Sequence, residues 1–455
     1  MAFPEQIGQL LEIVPASFAA LMRHVRQEWI HRALGCLKGA ATIRRRKLPA
    51  DRALWLVIGM ALFRERSIEE VVSHLDLVVP GGPNDEGVAP SAIPQARQRL
   101  GVEPVQRLFE LTAGAWAFAD ERCWRDLTLC ATDGTCLRVP DTVENEQEFG
   151  RPRSGRAASA YPQVRITALL SITSRVLAGL SLSAYTESEL ATAEALWPLI
   201  PHNSLTILDR GYLSFWLFHR FQQTAQSANK HFLVRLKSNV TYTKIKNLGP
   251  GDMLVEFRPS TALRRKHPEM PETLPARLVT FQARGYRPTT VITSLLDSDK
   301  YPAAEIGGLY HERWEIELGY DEIKTHMLGR EEALRSKKPE GIKQEIYGIG
   351  IAYNLVRVEM ARVAEQQRLP PNRISFTHAL RFIRNFCVSA WAASPGVLPR
   401  RLMGLERDVA LLVLPERRSE RRYRRQVKIK MSNFPRNYGR QGPPKPHRKP
   451  ASSLN

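Results

Sequence analysis

The chain has 455 residues, 43% of them hydrophobic, which is enough for a large core and more than one domain. Lys and Arg total 66 against 46 Asp and Glu, a formal charge of +20, and an excess of that size points to a polyanionic partner, nucleic acid before membrane. The cysteines, Cys36, Cys123, Cys130, Cys136 and Cys387, form no C-x-x-C pair, which excludes a zinc framework and a disulfide scaffold and suits a reducing cytosol.

The first stretch, MAFPEQIGQLLEIVPASF, lacks the basic start and apolar run of a signal peptide. No segment reaches the roughly 18 uninterrupted apolar residues of a membrane span. ALWLVIGMALF (Ala53 to Phe63) is shorter, is bracketed by Arg52 and Arg64, and reads as a buried helix. Residues 1–115 follow a 3.6-residue period and read as an all-helical domain. Two of its helices meet near Ser67, where Ser67 and Glu70 match a capping box. After a Gly- and Pro-rich loop, SAIPQARQRLG opens a short helix capped by Ser91 and carrying Arg97 and Arg99. A helix, a turn and a helix with Gln and Arg suit a helix-turn-helix DNA reader, and equally an ordinary helical subdomain.

Strands take over near Asp126. LTLCATDGTCLRV is an apolar run interrupted by Asp133-Gly134-Thr135, and VRITALLSITSRVLAGLSLSAY alternates like two strands around Thr173-Ser174. ELATAEALWPLI is a helix, SLTIL a strand ending before Asp209, and HFLVRL another strand. Strands alternating with helices after a leading meander predict an α/β sheet over 116–236. Residues 237–287 are rich in Pro, Lys and Arg with short β-like runs, and read as an inserted β-rich subdomain. Residues 288–414 return to core character with one strand and long amphipathic helices, and 415–455 reads as a flexible basic tail suited to phosphate.

Asp133 sits in an otherwise apolar strand, and Asp209 at the carboxyl end of one, where ligand sites of α/β sheets lie. A carboxylate in apolar surroundings is costly without a cation or metal beside it, although Arg210 offers Asp209 a plain ion pair. YHERWEIELGYDEIKTHMLG (Tyr310 to Gly329) reads as a helix. On an ideal wheel Tyr310, Arg313, Glu317 and Lys324 fall in one stripe roughly 60° wide. Leu309, Ile316, Tyr320, Ile323 and Met327 form the adjacent apolar stripe, and Glu315 and Glu322 point to the opposite side, toward solvent. Arg313 and Glu317 are i,i+4 neighbours, which explains that pair but not Tyr310 and Lys324, and Asp321 is a rival carboxylate. Three carboxylates from separate segments can hold two Mg²⁺ ions, which prefer oxygen ligands and act in phosphodiester chemistry. Arg, Lys and Tyr alongside would grip DNA phosphates. Arg151, Arg153 and Arg156, in the loop after the first strand, would lie near Asp133 as further phosphate contacts, or stay solvated.

Asp133 in TDGT, Asp209 in LDRGY and the stretch YHERWEIELGYDEIK resemble the Asp-Asp-Glu (DDE) transposases of the insertion sequence 4 family. The last stretch matches the family's Tyr-Arg-Glu-Lys signature at full spacing, and RKLPADRALWLVIGMALFRERSIEEVVSHL resembles its helical N-terminal domain. The resemblance runs from about Pro4 to Leu414. It implies an α/β fold: an RNase H-like catalytic core, split by the β-rich insertion and preceded by a helical, DNA-binding N-terminal domain. It implies that Asp133, Asp209 and Glu317 are catalytic and bind two Mg²⁺ ions, with Mn²⁺ as a substitute, and that Tyr310, Arg313 and Lys324 contact DNA. Arg97 and Arg99 add DNA contacts on the helix-turn-helix reading. The implied reaction nicks the end of an insertion sequence, turns the freed 3′ hydroxyl on the opposite strand to form a hairpin, reopens it and joins the ends to target DNA. The implied partners are double-stranded terminal repeats, target DNA and a second copy of the chain in the synaptic complex, with no membrane. The implied location is the prokaryotic cytoplasm, on the nucleoid. Relatives use an aromatic in the insertion to hold a flipped base. This insertion has no Trp, which leaves Tyr242, Phe257, Phe281 and Tyr286. The competing readings are a catalytically silent DNA-binding descendant of a transposase and an RNase H-like nuclease that cuts without joining. The presence of all three acids speaks against the first.

Overall fold

The computed structural model describes residues 18, 21, 23–37, 48–78, 88–119, 123–154, 157–158, 161–282, 287–329, 333–390, 393–394 and 396–415. The basic tail from 416 onward lies outside the described residues. Helices α1 (Gln27–Leu34), α2 (Ala50–Leu62), α3 (Ile68–His74), α4 (Ala92–Leu100) and α5 (Glu103–Trp116) come first. As expected, α2 is buried from Ala53 through Leu62, and Ser67 and Glu70 close a capping box at α3. Ser91 precedes α4 but its side chain makes no cap, so that expectation fails.

These helices share one apolar core with α12 (Pro339–Gln366), a 28-residue helix whose middle is buried all round. A Cβ added at Gly348 of α12 would stand 2.9 Å from the Val57 carbonyl oxygen, so glycine lets α2 and α12 cross this closely. At the other end, Arg23 and His24 meet the buried Glu359 of α12, with His24 Nε2 2.7 Å from Glu359 Oε2. After α12 come α13 (Phe376–Ala390) and α14 (Leu398–Ala410), which pack on each other and on α12.

The sheet begins with β1 (Thr128–Arg138). It is followed by α6 (Val143–Phe149), the small ribbon β2 (Arg153–Ser154) and β3 (Ala157–Ala158), then β4 (Gln163–Ser171) and β5 (Leu177–Ala184). After α7 (Glu189–Glu194) come β6 (Ser204–Leu208), α8 (Phe215–Ala228) and β7 (Lys230–Arg235). In space the strands run β5-β4-β1-β6-β7, antiparallel among the first three and parallel from β1 to β7. Helices cover both faces, so successive residues go to opposite cores. Leu205, Ile207 and Leu233 join the core shared with α12, whereas Leu208, Phe232 and Val234 join Leu217, Phe218 and Phe221 of α8. This is an RNase H-like core.

The insertion contributes β8 (Thr243–Gly249), β9 (Asp252–Phe257), α9 (Thr261–Lys266) and β10 (Leu274–Phe281), and β11 (Thr289–Thr293) follows. Its strands continue the core sheet: β11 pairs antiparallel with β7, and β10, β9 and β8 follow outward to the edge. Arg277 of β10 anchors them. It is fully buried, grips Asp252 with two hydrogen bonds at 2.7 and 2.6 Å, and donates to the Tyr301 carbonyl at 2.7 Å. Arg277→Ala strands a buried Asp252 carboxylate and is expected to cost about 3–5 kcal/mol of stability. Urea unfolding measures this, and a loss under about 1 kcal/mol would put the pair in the class of solvated surface bridges.

Candidate active site

The register of the parallel strands brings two acids together. Thr132 of β1 pairs with Leu208 of β6, so Asp133 and Asp209 come next at the same level of neighbouring strands. Asp209 ends its strand and caps the following turn, its Oδ2 accepting the Gly211 N–H at 3.4 Å. Asp133 does not interrupt β1: the strand runs on to Arg138 because β4 pairs with it from Cys130 to Arg138, Asp133 opposite Ala168. Its Oδ1 accepts the Gly134 N–H at 2.8 Å. A Cβ at Gly134 would come 3.1 Å from the carboxyl carbon of Glu189, which opens α7 and pairs with Arg165.

The third acid lies on a helix that is not ideal. α10 (Ala303–His311) tightens at its end into i→i−3 bonds, Glu312 N–H to Leu309 O at 2.9 Å and Arg313 N–H to Tyr310 O at 3.3 Å. α11 (Trp314–Asp321) follows, and a π-turn spans Glu322–Met327. Leu309, Ile316, Ile323 and Met327 are buried as expected. Glu315 and Glu322, expected in solvent, are buried too, because Arg175 and Arg357 meet them there. A wheel records angles and not partners, which is why it misplaced both. The Tyr320 hydroxyl donates to the Asp133 carbonyl at 2.6 Å and ties α11 to β1.

Arg313 gathers the acids. One guanidinium nitrogen is 3.9 Å from Asp133 Oδ2 and another is 2.5 Å from Glu317 Oε1. Asp209 acts on its charge, and Tyr310 shares a hydrogen bond with it. Burial pushes the Asp133 carboxyl up to about 6. The Gly134 N–H and Arg313 oppose that shift, and the charges of Asp209 and Glu189 add to it. Burial likewise raises the Tyr310 hydroxyl, which therefore stays a donor. Lys324, on the π-turn, lies beside Cys136 of β1. Asp321 is exposed and accepts from the Thr325 hydroxyl at 2.7 Å, apart from this group.

The arginines away from the signature fare differently. Arg97 is turned inward, donating to Gln344 at 3.3 Å, the Ser336 hydroxyl at 2.9 Å and the Gly341 carbonyl at 3.2 Å. These partners compete with DNA phosphate for its guanidinium. Arg151 is held by Asp141 and by Glu146 of α6, its Nη2 2.9 Å from Glu146 Oε2, so acids just before it compete for it. Arg99 is exposed on α4. The Arg153 side chain and Arg156 lie outside what the structure describes. Of the insertion aromatics, Phe257 is fully buried, Phe281 packs on Gly307 and His311, Tyr242 is exposed, and Tyr286 lies outside the described residues.

Several residues at the site escaped the sequence. Arg235 ends β7 and its charge reaches Tyr310, as a cation at a parallel strand's carboxyl end should. Tyr212, inside LDRGY, is buried beside Asp133, and its hydroxyl has no hydrogen-bond partner among the described residues. Trp314 is 54% exposed next to Arg313, whose guanidinium lies 5.7 Å from its ring centre.

Residues 15–110 match the family model of the insertion element 4 transposase N-terminal domain, and residues 124–355 match that of the transposase DDE domain. The chain belongs to the insertion sequence 4 family of DDE transposases. It is 37% identical over 437 residues to the transposase InsG for insertion sequence element IS4 of Escherichia coli (strain K12), covering 94% of this chain and 97% of that one. InsZ of the same strain is 34% identical over 230 residues, 50% of this chain and 74% of the other. A solved piggyBac transposase synaptic complex with hairpin DNA is similar at TM-score 0.44 and 11% identity, over 89% of this chain and 86% of that one. This transposase is therefore an enzyme, and its family works with divalent metal ions. The chemistry of Asp133, Asp209 and Glu317 fits such an ion: all three offer carboxylate oxygens, and the burial and neighbouring acid charges that raise Asp133 are what a bound cation would offset. Among the described residues no three acidic, His or Cys side chains stand close enough to hold one ion, and Arg313 lies between Asp133 and Glu317. No helix among the described residues is long and apolar enough to cross a membrane.

Proposed function

We propose that this transposase cuts the ends of its own insertion sequence and joins them to target DNA through a hairpin, using Asp133, Asp209 and Glu317 with two Mg²⁺ ions. The observation that carries the reading is the convergence of these acids around Arg313, with Tyr310 and Arg235 alongside. When bound, the ions activate the attacking oxygen and stabilise the leaving oxygen of the phosphodiester. Asp133, Asp209 and Glu317 would hold the ions, and the Arg313 fork, which here pairs with Asp133 and Glu317, would then be available to a DNA phosphate. The Tyr310 hydroxyl and the Lys324 ammonium hold neighbouring phosphates and fix the strand for in-line attack. With Phe257 buried, Trp314 is the aromatic best exposed beside Arg313 to stack a nucleobase. The helical N-terminal part, with Arg99 exposed, binds the terminal repeats, and two copies of the chain act on paired ends in the prokaryotic nucleoid.

The test is direct. Purified transposase with Mg²⁺ is expected to nick DNA carrying its own terminal inverted repeats and to yield hairpin-ended product on a denaturing gel, with none in EDTA. Sequence-specific binding without cutting in Mg²⁺ or Mn²⁺ would favour a binding-only descendant, and cutting without hairpin or joined product would favour a nuclease.

A further inference from the structure

Behind the helix that carries Glu317 lies a second cluster of charges. Glu315 and Glu322 are one heptad apart, on the face of the helix turned away from Glu317. Glu315 is fully buried, and Arg175, Glu322 and Arg357 are nearly so. Arg175 donates Nε to Glu315 Oε2 at 2.5 Å and Nη1 to Glu322 Oε1 at 2.7 Å. Arg357 of α12 binds the other Glu322 oxygen, and the Tyr353 hydroxyl donates to that oxygen at 2.9 Å. Arg175 sits in the β4–β5 turn at φ 59°, a left-handed backbone that non-glycine residues seldom adopt. Its N–H donates to the Ser171 carbonyl at 2.9 Å.

We propose that Arg175, Glu315, Glu322 and Arg357 are positioning residues: they lock the rotation of α11 and so aim Glu317 at the ends of β1 and β6. Two features support this over simple cohesion. First, an apolar replacement of a buried ion pair commonly holds a fold at least as well, so four buried charges are a poor choice for stability alone and suit a need for one orientation. Second, α11 is bounded by an i→i−3 tightening on one side and a π-turn on the other, so its neighbouring helical turns do not dictate its angle. Besides the Tyr320 hydroxyl, the two Glu side chains are its polar grips. Glu315 is held by the hairpin turn, and Glu322 by both the hairpin turn and α12. Glu315 precedes Glu317 by two residues, about 200° around the helix, so fixing Glu315 inward turns Glu317 outward to the acids. Glu322 opens the π-turn that carries Lys324, so the same lock sets that side chain too.

This inference rests on the catalytic reading of Glu317, and its test separates the two. In the full-length transposase, the double variant Arg175→Met/Glu315→Leu removes one cation and one anion together and leaves Glu322 paired with Arg357. It is expected to unfold at or above the parent's temperature and to bind terminal-repeat DNA in EDTA as the parent does. Cleavage at saturating Mg²⁺ is expected to fall about 10- to 100-fold. Amide hydrogen exchange in EDTA, which needs no catalysis, is expected to quicken over residues 314–327 and not in α12. Unchanged exchange over 314–327 overturns the proposal. So does a loss of cleavage that only tracks the unfolded fraction, or cleavage at the parent rate by a double variant of an active parent. If the parent itself does not cut while exchange still quickens, the lock stands and the catalytic reading of Glu317 falls.

Discussion

Glu317→Gln and Asp209→Ala are each expected to reduce cleavage of terminal-repeat DNA by about 10³-fold or more, which corresponds to at least about 4 kcal/mol of transition-state stabilisation. Asp321→Asn is expected to leave it near the parent rate. The contrast follows from geometry. Glu317 lies 2.5 Å from the Arg313 guanidinium that also reaches Asp133, while Asp321 is exposed and spends an oxygen on Thr325. Replacing a carboxylate by an amide keeps shape but removes the charge that draws a hard cation. Binding of the repeats in EDTA is expected to persist in all three variants, since none removes a basic contact. Quantitative cleavage assays beside gel-shift titrations decide the matter. Full activity in the Glu317 variant, or equal loss in the Asp321 variant, would displace Glu317 from the site.

Asp133→Asn is expected to abolish cleavage and at the same time to stabilise the metal-free protein. The Asp133 carboxyl stands at about 6 in the fold against an ordinary 3.8, chiefly through burial. Between those values the folded chain holds a proton that the unfolded chain has released, so the group's contribution is intact below about pH 4 and is lost as pH rises through about 6. Above that, the charged carboxylate costs up to about 3 kcal/mol, a ceiling because the side chain keeps 21% of its exposure. The asparagine variant is therefore expected to melt higher than the parent at pH 8 in EDTA, and at nearly the same temperature near pH 4. Equal melting at pH 8 would mean that the carboxylate is better solvated or better paired than its surroundings indicate. Such a cost fits the proposed metal-binding role, since a cation would need the charge that burial disfavours.

Much of the chain was legible in advance because its elements are strongly periodic. The buried α2, the capping box at Ser67, the β4–β5 hairpin and the long α12 follow from local pattern alone. Three acids and the spacing of Tyr310, Arg313, Glu317 and Lys324 were readable for the same reason: motif and offset are properties of sequence. Glu315 and Glu322 were misplaced because a helical wheel gives angles and not partners, and each meets an arginine from a distant segment, Arg175 or Arg357. Arg97 and Arg151, read as phosphate contacts, meet polar or acidic groups of this chain that compete for them: Gln344 and Ser336, Asp141 and Glu146.

The sequence by itself determined the α/β class and the family and singled out Asp133, Asp209 and Glu317 as candidates, because each is written in composition, periodicity or local motif. Only the tertiary structure decided which level of β1 meets which level of β6, that the strands of 237–287 extend the core sheet, that Arg313 stands between Asp133 and Glu317, and that the far side of α11 is an ion cluster. Those are matters of pairing between distant segments, and the energy of a buried charge depends on the partner it meets and not on its neighbours in the chain.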